Sequence, residues 1–141
     1  MTSDIVILGG ARTAIGTFGG SLSSLPPIEL ATAASKAALE RSGLDAAQVG
    51  TVVFGHVINT EPRDMYLSRV AAMQAGVPNG TPAMNVNRLC GSGVQAIISA
   101  AQMLMLGDAE FALAGGAECM SRSPYILPAA RWGQKMGDVK A

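Results

Sequence analysis

Residues 83–106 read AMNVNRLCGSGVQAIISAAQMLML, from Ala83 to Leu106. The first residues, Ala83 to Asn87, suit a short buried strand, and a glycine-flanked cysteine interrupts the apolar pattern directly after them. From Gly93 to Leu106 the spacing changes to that of a helix. Val94, Ile97, Ile98, Ala101 and Leu104 fall at i, i+3 and i+4 steps, predicting a core-facing stripe that Gly107 stops. Met103 and Met105 read as further core residues. A strand, a tight turn and a helix in this order form half of a crossover unit.

Toward the N-terminus, Ile5 to Leu8 is a β-branched run stopped by Gly9-Gly10, predicting a buried strand. Ala11 to Ser24 reads as a loop. Pro26-Pro27 opens a helix that Ser42-Gly43 closes, as proline suits the first turn and glycine the position past the last. Its expected inner face is Leu30, Ala34, Ala37 and Ala38, with Glu29 early and Arg41 late, as the helix dipole prefers. Thr51 to Ile58 predicts a second strand, Arg63 to Ala75 a second helix ended by Gly76 and Pro78, and Glu110 to Ala114 a fourth strand. Strands alternating with helices imply right-handed crossovers, so the fold class is α/β, a mostly parallel sheet with helices on both faces. After Ser121 the period is lost. Residues 1–120 are therefore expected to form the α/β domain, and 121–141 the start of an irregular excursion.

The 141 residues carry 10 basic and 10 acidic side chains, are 49% hydrophobic and only 14% charged. Average usage is roughly 25% charged, so disorder is excluded, and so apolar a chain is expected to cover part of its surface with other polypeptide. A neutral balance argues against a nucleic-acid partner. Met1 to Asp4 lacks the basic stretch and long apolar run of a secretory signal, and no uninterrupted apolar run approaches the roughly 18 residues needed to span a bilayer. The expectation is a cytoplasmic protein with no membrane partner. Cys90, Cys119 and the single histidine, His56, form neither a disulfide scaffold nor a metal-ligand set, so no metal is expected.

The chemistry is expected at Cys90. Side chains at the carboxyl end of a parallel strand face the crevice where α/β proteins bind ligands. A helix starting just afterwards aims unpaired N–H groups and its positive dipole end at the sulfur, which stabilises thiolate, the nucleophilic form. Gly91 and Gly93 form the supporting turn, leaving room for a sharp bend and for close approach of a substrate. The backbone N–H of Cys90 is a candidate donor to the oxygen of an attacked carbonyl. Placement alone leaves two readings open, a nucleophile or an inert packed thiol.

The stretch NRLCGSG-x-QAI around Cys90, the earlier RTAIGTFGG (Arg12 to Gly20) and the later GGAECMSRSPY (Gly115 to Tyr125) together resemble the thiolases. TEPRDMYLSRVAA (Thr60 to Ala72) and PAARWGQKMGD (Pro128 to Asp138) look most like the bacterial β-ketothiolases of broad acyl-chain range. The resemblance implies a thiolase-like N-terminal half, one half of the family's layered αβαβα arrangement. It implies an acyl-CoA C-acyltransferase in which Cys90 accepts the acyl group as a thioester. That acyl group passes to coenzyme A in thiolysis of a 3-ketoacyl-CoA, or to the acetyl-CoA enolate in Claisen condensation. Coenzyme A thioesters are then substrates, no cofactor is permanently bound, and the assembly is a homodimer or homotetramer. The family's activating histidine, second cysteine, asparagine-held water and most coenzyme A contacts lie in a C-terminal half that is absent here. The chain alone is therefore expected to be inactive.

His56 is expected to be packed or hydrogen-bonded, and Cys119 to fill a tight site. Arg63, Asp64 and Arg69 read as surface or interface ion pairs. The glycines of RTAIGTFGG read as loop packing, since neither GxxxxGK[ST] nor GxGxxG is present. Two other readings stand beside a thiolase: a non-catalytic binding or assembly module on the same fold, and a ketoacyl-synthase-type condensing enzyme. NRLCGSG followed by GG-x-E-x-M-S favours the thiolase branch.

Overall fold

The computed structural model describes residues 4–133. The last residues of the expected excursion, and the end of PAARWGQKMGD, lie outside them, as do Met1 to Ser3. Six regular elements follow one another: α1 (Pro27–Ser42), β1 (Thr51–Gly55), α2 (Leu67–Gln74), β2 (Ala83–Val86), α3 (Ser92–Leu106) and β3 (Ala112–Gly116). The strands form one sheet in the order β2-β1-β3, with both pairings parallel.

The sheet is covered on both faces because its side chains alternate. Val52, Phe54 and Leu113 point to one face, where Ile28, Ala31 and Leu39 of α1 and Leu67, Ala71 and Ala72 of α2 complete the larger core. Val53 points to the other, against Ala96 and Ala100 of α3. Proline stands at the first turn of α1, and Gly43 and Gly107 end α1 and α3 with φ of 68° and 81°, the left-handed conformation that glycine adopts without strain.

Several expectations are corrected. Ile5 to Leu8 is not a buried strand: it makes no strand pairing among the described residues, and Val6 and Ile7 are 67% and 83% exposed. Gly9 to Ala11, which follow it, are separated from the outer edge of β3 by a groove of about 180 Å³ floored by Ala31, Ala34 and Ala38 of α1. A strand without a neighbour to bond has no ladder to join, whatever its propensity. The buried face of α1 is Ile28, Ala31, Ser35 and Leu39, one residue, or about 100° of rotation, from the expected one. Leu30, Ala34, Ala37 and Ala38 are half-buried on its flank.

The α3 stripe is corrected more sharply. Its buried residues are Ser92, Ala96 and Ala100, four apart, while Val94, Ile97 and Ile98 are 65%, 50% and 42% exposed and Met105 also faces outward. The cause is close approach. A Cβ on Gly55 would stand 2.6 Å from the backbone carbon of Ser92. A helix this near the sheet has room only for small side chains between them, so the large ones turn away. By length and composition alone, Leu89–Leu106 is apolar enough to cross a bilayer, with a mean hydropathy of 1.5 over 18 residues. It is not an uninterrupted apolar run, which is what the sequence was expected to lack. Gln95, Ser99 and Gln102 interrupt it.

The remaining differences lie at element ends. β1 stops at Gly55, because the N–H groups of Val57 and Ile58 donate to the Glu118 carboxylate at 3.0 Å each, in place of a strand. The second helix is broken into a 3₁₀ segment (Pro62–Tyr66) and α2. At the break the Asn85 side chain accepts from Ser68 N–H (2.9 Å) and donates to the carbonyls of Asp64 and Met65 (3.2 Å each). β3 begins two residues later than expected, at Ala112. Beyond it lie 3₁₀ turns at Met120–Arg122 and Pro128–Trp132 and an exposed Trp132.

Candidate active site

Because all three strands are parallel, the residues that follow them leave the sheet at one edge. That edge gathers His56 to Ile58, Asn87 to Cys90 and Ala117 to Met120. The sequence-predicted cysteine is among them. Cys90 is exposed, four residues beyond the end of β2, with Gly91 capping the N-terminus of α3 after it. The first N–H groups of a helix have no partner within it, so the thiol stands where a developing negative charge is favoured.

The turn that carries Cys90 is tied by hydrogen bonds. Leu89 N–H donates to the Asn87 side-chain oxygen (3.0 Å), and Arg88 N–H donates to the Ser92 hydroxyl (2.8 Å). The Ser92 hydroxyl in turn donates to the Leu89 carbonyl (2.6 Å), which also accepts from Ser92 N–H (3.0 Å). Gly91 has an ordinary φ of −86°, and a Cβ on Gly93 would meet nothing within 4 Å. The sharp bend therefore belongs to neither glycine. It is made by Leu89, at φ 51°. Gly93 leaves open space in the turn, whereas a Cβ on Gly91 would touch the Arg88 carbonyl oxygen at 3.4 Å.

His56 is 5% exposed, and its Nδ1 lies 2.8 Å from the Ala117 carbonyl oxygen. A carbonyl only accepts, so Nδ1 carries the proton; Glu118 Oε1 lies 3.5 Å from the same nitrogen. His56 is thus buried and hydrogen-bonded just past the end of β1. Cys119 is 8% exposed, with Sγ 4.0 and 3.9 Å from the carbonyl oxygens of Leu22 and Ser23, which agrees with a small residue in a tight place.

The three charged residues expected as ion pairs divide. Arg63 pairs with Glu61 at 2.7 Å on the surface. Asp64 is fully buried, its Oδ2 accepting from Thr60 N–H, the Thr60 hydroxyl and Glu61 N–H at 2.6–3.1 Å. Arg69 donates to the carbonyls of Thr81 and Asn79 at 2.8 and 2.6 Å. The latter two are structural. Burial turns a charged residue toward the backbone when a loop offers unpaired groups.

Reading the sequence missed Glu118, Ser121, Asn85 and Ser92. Two of them stand in GGAECMSRSPY: Glu118 ties this segment to the end of β1, and the Ser121 hydroxyl accepts from Gly19 N–H at 2.9 Å, joining it to RTAIGTFGG. Polar residues at fixed places among glycines were the available signal.

The comparisons with known proteins bear on the family and the fold. The family described as thiolase, N-terminal domain, matches residues 5–141. The chain is 59% identical over 139 residues to the Beta-ketothiolase BktB of Cupriavidus necator, covering 99% of this chain and 35% of that protein. It is 48% identical to an acetyl-CoA acetyltransferase of the same organism, covering 98% of this chain and 35% of that one. Human mitochondrial 3-ketoacyl-CoA thiolase in complex with CoA superposes with a TM-score of 0.90 at 37% identity, over 94% of this chain and 34% of that one. The chain thus spans about a third of the length of the curated relatives it matches. Matched along nearly its whole length in sequence and in fold, the chain belongs to the thiolase family, of which it carries the N-terminal domain.

Proposed function

We propose that this chain supplies the acyl-accepting nucleophile of a β-ketothiolase, with Cys90 in that role. The observation that carries the reading is the exposed thiol at the carboxyl edge of a parallel sheet, in front of the N-terminus of α3. The thiolate attacks the keto carbon of a 3-ketoacyl-CoA, forming an S–C bond. The C–C bond breaks, and acetyl-CoA leaves as its enolate and takes up a proton. The acyl thioester then passes to the thiol of coenzyme A, or in the synthetic direction to the enolate of acetyl-CoA. A thioester keeps the acyl group activated for both exits. The names of the similar proteins, acetyltransferases and ketothiolases, and the CoA complex of one of them support thioesters of coenzyme A as substrates.

The proton transfers need groups that we place outside these residues. His56 is the single histidine and is buried against Ala117, while Cys119 is sealed beneath Leu22 and Ser23. We assign the base and the second proton carrier to a C-terminal half of the full protein, and the domain boundary to the region near residue 120. The exposed apolar side of α3 supports cover by that half or by a second subunit in a cytoplasmic homodimer or homotetramer.

Fusion to the C-terminal portion of the Cupriavidus necator relative tests the reading. The fusion is expected to cleave acetoacetyl-CoA, and Cys90→Ser to lower kcat on the order of 10⁴-fold, while Cys119→Ser stays within about two-fold. Wild-type turnover by the Cys90→Ser fusion would overturn it. The 141 residues alone are expected to show no measurable thiolysis, because general acid–base groups supply roughly 10²–10⁴-fold each.

A further inference from the structure

Leu89 is the single non-glycine residue with positive φ among the described residues, at 51°, and it immediately precedes Cys90. Its side chain is 70% exposed, so packing does not hold it there. L-residues avoid this conformation because Cβ crowds the following carbonyl oxygen. Something else must over-determine it, and strain of this kind concentrates where a side chain has to be aimed.

Leu89 N–H is held by the Asn87 side chain and the Leu89 carbonyl by Ser92 N–H, and the Ser92 hydroxyl adds two further restraints. Ser92 is 4% exposed, and its Oγ accepts from Arg88 N–H at 2.8 Å while its proton goes to the Leu89 carbonyl at 2.6 Å. The hydroxyl thus grips the backbone on both sides of the Leu89 Cα. Ser92 itself cannot move away, because its backbone is pressed against Gly55 of β1, where no Cβ fits. If Leu89 relaxed to an ordinary φ near −60°, the peptide leading into Cys90 would rotate with it. Both the Cys90 N–H and its Sγ would then leave their present direction.

We propose that Ser92 is the positioning residue of this site: its hydroxyl holds Leu89 in the left-handed conformation and thereby aims the Cys90 thiol and N–H at the substrate position. This inference rests on Cys90 being the reactive thiol. Ser92 touches no substrate, and its action runs through the backbone of Leu89.

The test measures iodoacetamide alkylation rates of Cys90 in the 141-residue chain by peptide mass mapping, against free glutathione as reference. Circular dichroism monitors the fold. The wild-type chain is expected to alkylate at Cys90 faster than glutathione, and Ser92→Ala is expected to slow Cys90 at least about five-fold. Ser92→Thr, which keeps the hydroxyl, is expected to restore the rate. Leu89→Gly/Ser92→Ala is also expected to restore it, since glycine adopts φ near 50° without help. Unchanged Cys90 reactivity in a folded Ser92→Ala, or a slow rate that the added glycine does not recover, overturns the positioning role. If Ser92→Ala does not fold, the double variant decides alone: a folded protein with wild-type rate supports the proposal, and any other result overturns it. A wild-type Cys90 no faster than glutathione would instead sink the nucleophile reading itself.

Discussion

At the scale of single residues, two cysteines of one chain have opposite surroundings. Cys90 is exposed ahead of a helix N-terminus, and Cys119 is sealed under carbonyl oxygens of the loop near Ser23. Iodoacetamide is therefore expected to label Cys90 at least about ten times faster than Cys119 near neutral pH, measured by tryptic peptide masses over a time course. Equal rates would mean that the loop over Cys119 opens as readily as the site itself. Asn85 makes a second residue-scale prediction. Its side chain closes three backbone groups at the broken second helix, so Asn85→Leu is expected to cost about 1–3 kcal/mol in a urea melt, with Cys90 labelling unchanged. The place of Cys90 between strand and helix was legible in the order of residue types. The bend at Leu89 was not, because leucine carries no turn preference of its own and the side chains that hold it at positive φ, Asn87 and Ser92, are common in many other local settings.

At the scale of elements, the meeting of α3 with the sheet dominates. Gly55 leaves no space for a side chain beneath α3, and Ser92, Ala96 and Ala100 are the helix surface that fits. Gly55→Ala is expected to destabilise the chain by about 2–3 kcal/mol, because the atoms it meets are backbone of α3 and not the tip of a flexible side chain. The measurement is a chemical-denaturation midpoint at constant m-value; a shift smaller than about 0.5 kcal/mol would show that the helix slides without cost. This contact also explains why the boundaries of α3 were readable while its buried face was not. Gly91 and Gly93 at the start and Gly107 past the end mark the boundaries by local chemistry. Leu, Ile, Val and Met occur nearly all round the helix, so periodicity alone selects the larger side chains, whereas the close sheet selects the smallest.

At the scale of the molecule, the apolar groups Val94, Ile97, Ile98 and Met105 stay exposed on α3, and Ile5 to Leu8 stay exposed at the N-terminal side. A patch of this kind is expected to drive self-association of the 141-residue chain and binding of a hydrophobic dye. Val94→Lys together with Ile97→Lys should abolish concentration-dependent association in sedimentation velocity, while changing stability by no more than about 1 kcal/mol. Persistent association would place the contact elsewhere. By itself the sequence determined the α/β class, the order of elements after residue 26, the family and the cysteine at the turn, because caps, strand propensity and motif spacing act over a few neighbouring residues. Only the tertiary structure decided which faces are buried, that Ile5 to Leu8 finds no strand partner among the described residues, and that Leu89, Ser92 and Glu118 hold the site's edge. Those outcomes depend on how closely backbones approach and on hydrogen bonds between segments as much as 61 residues apart, which local sequence does not encode.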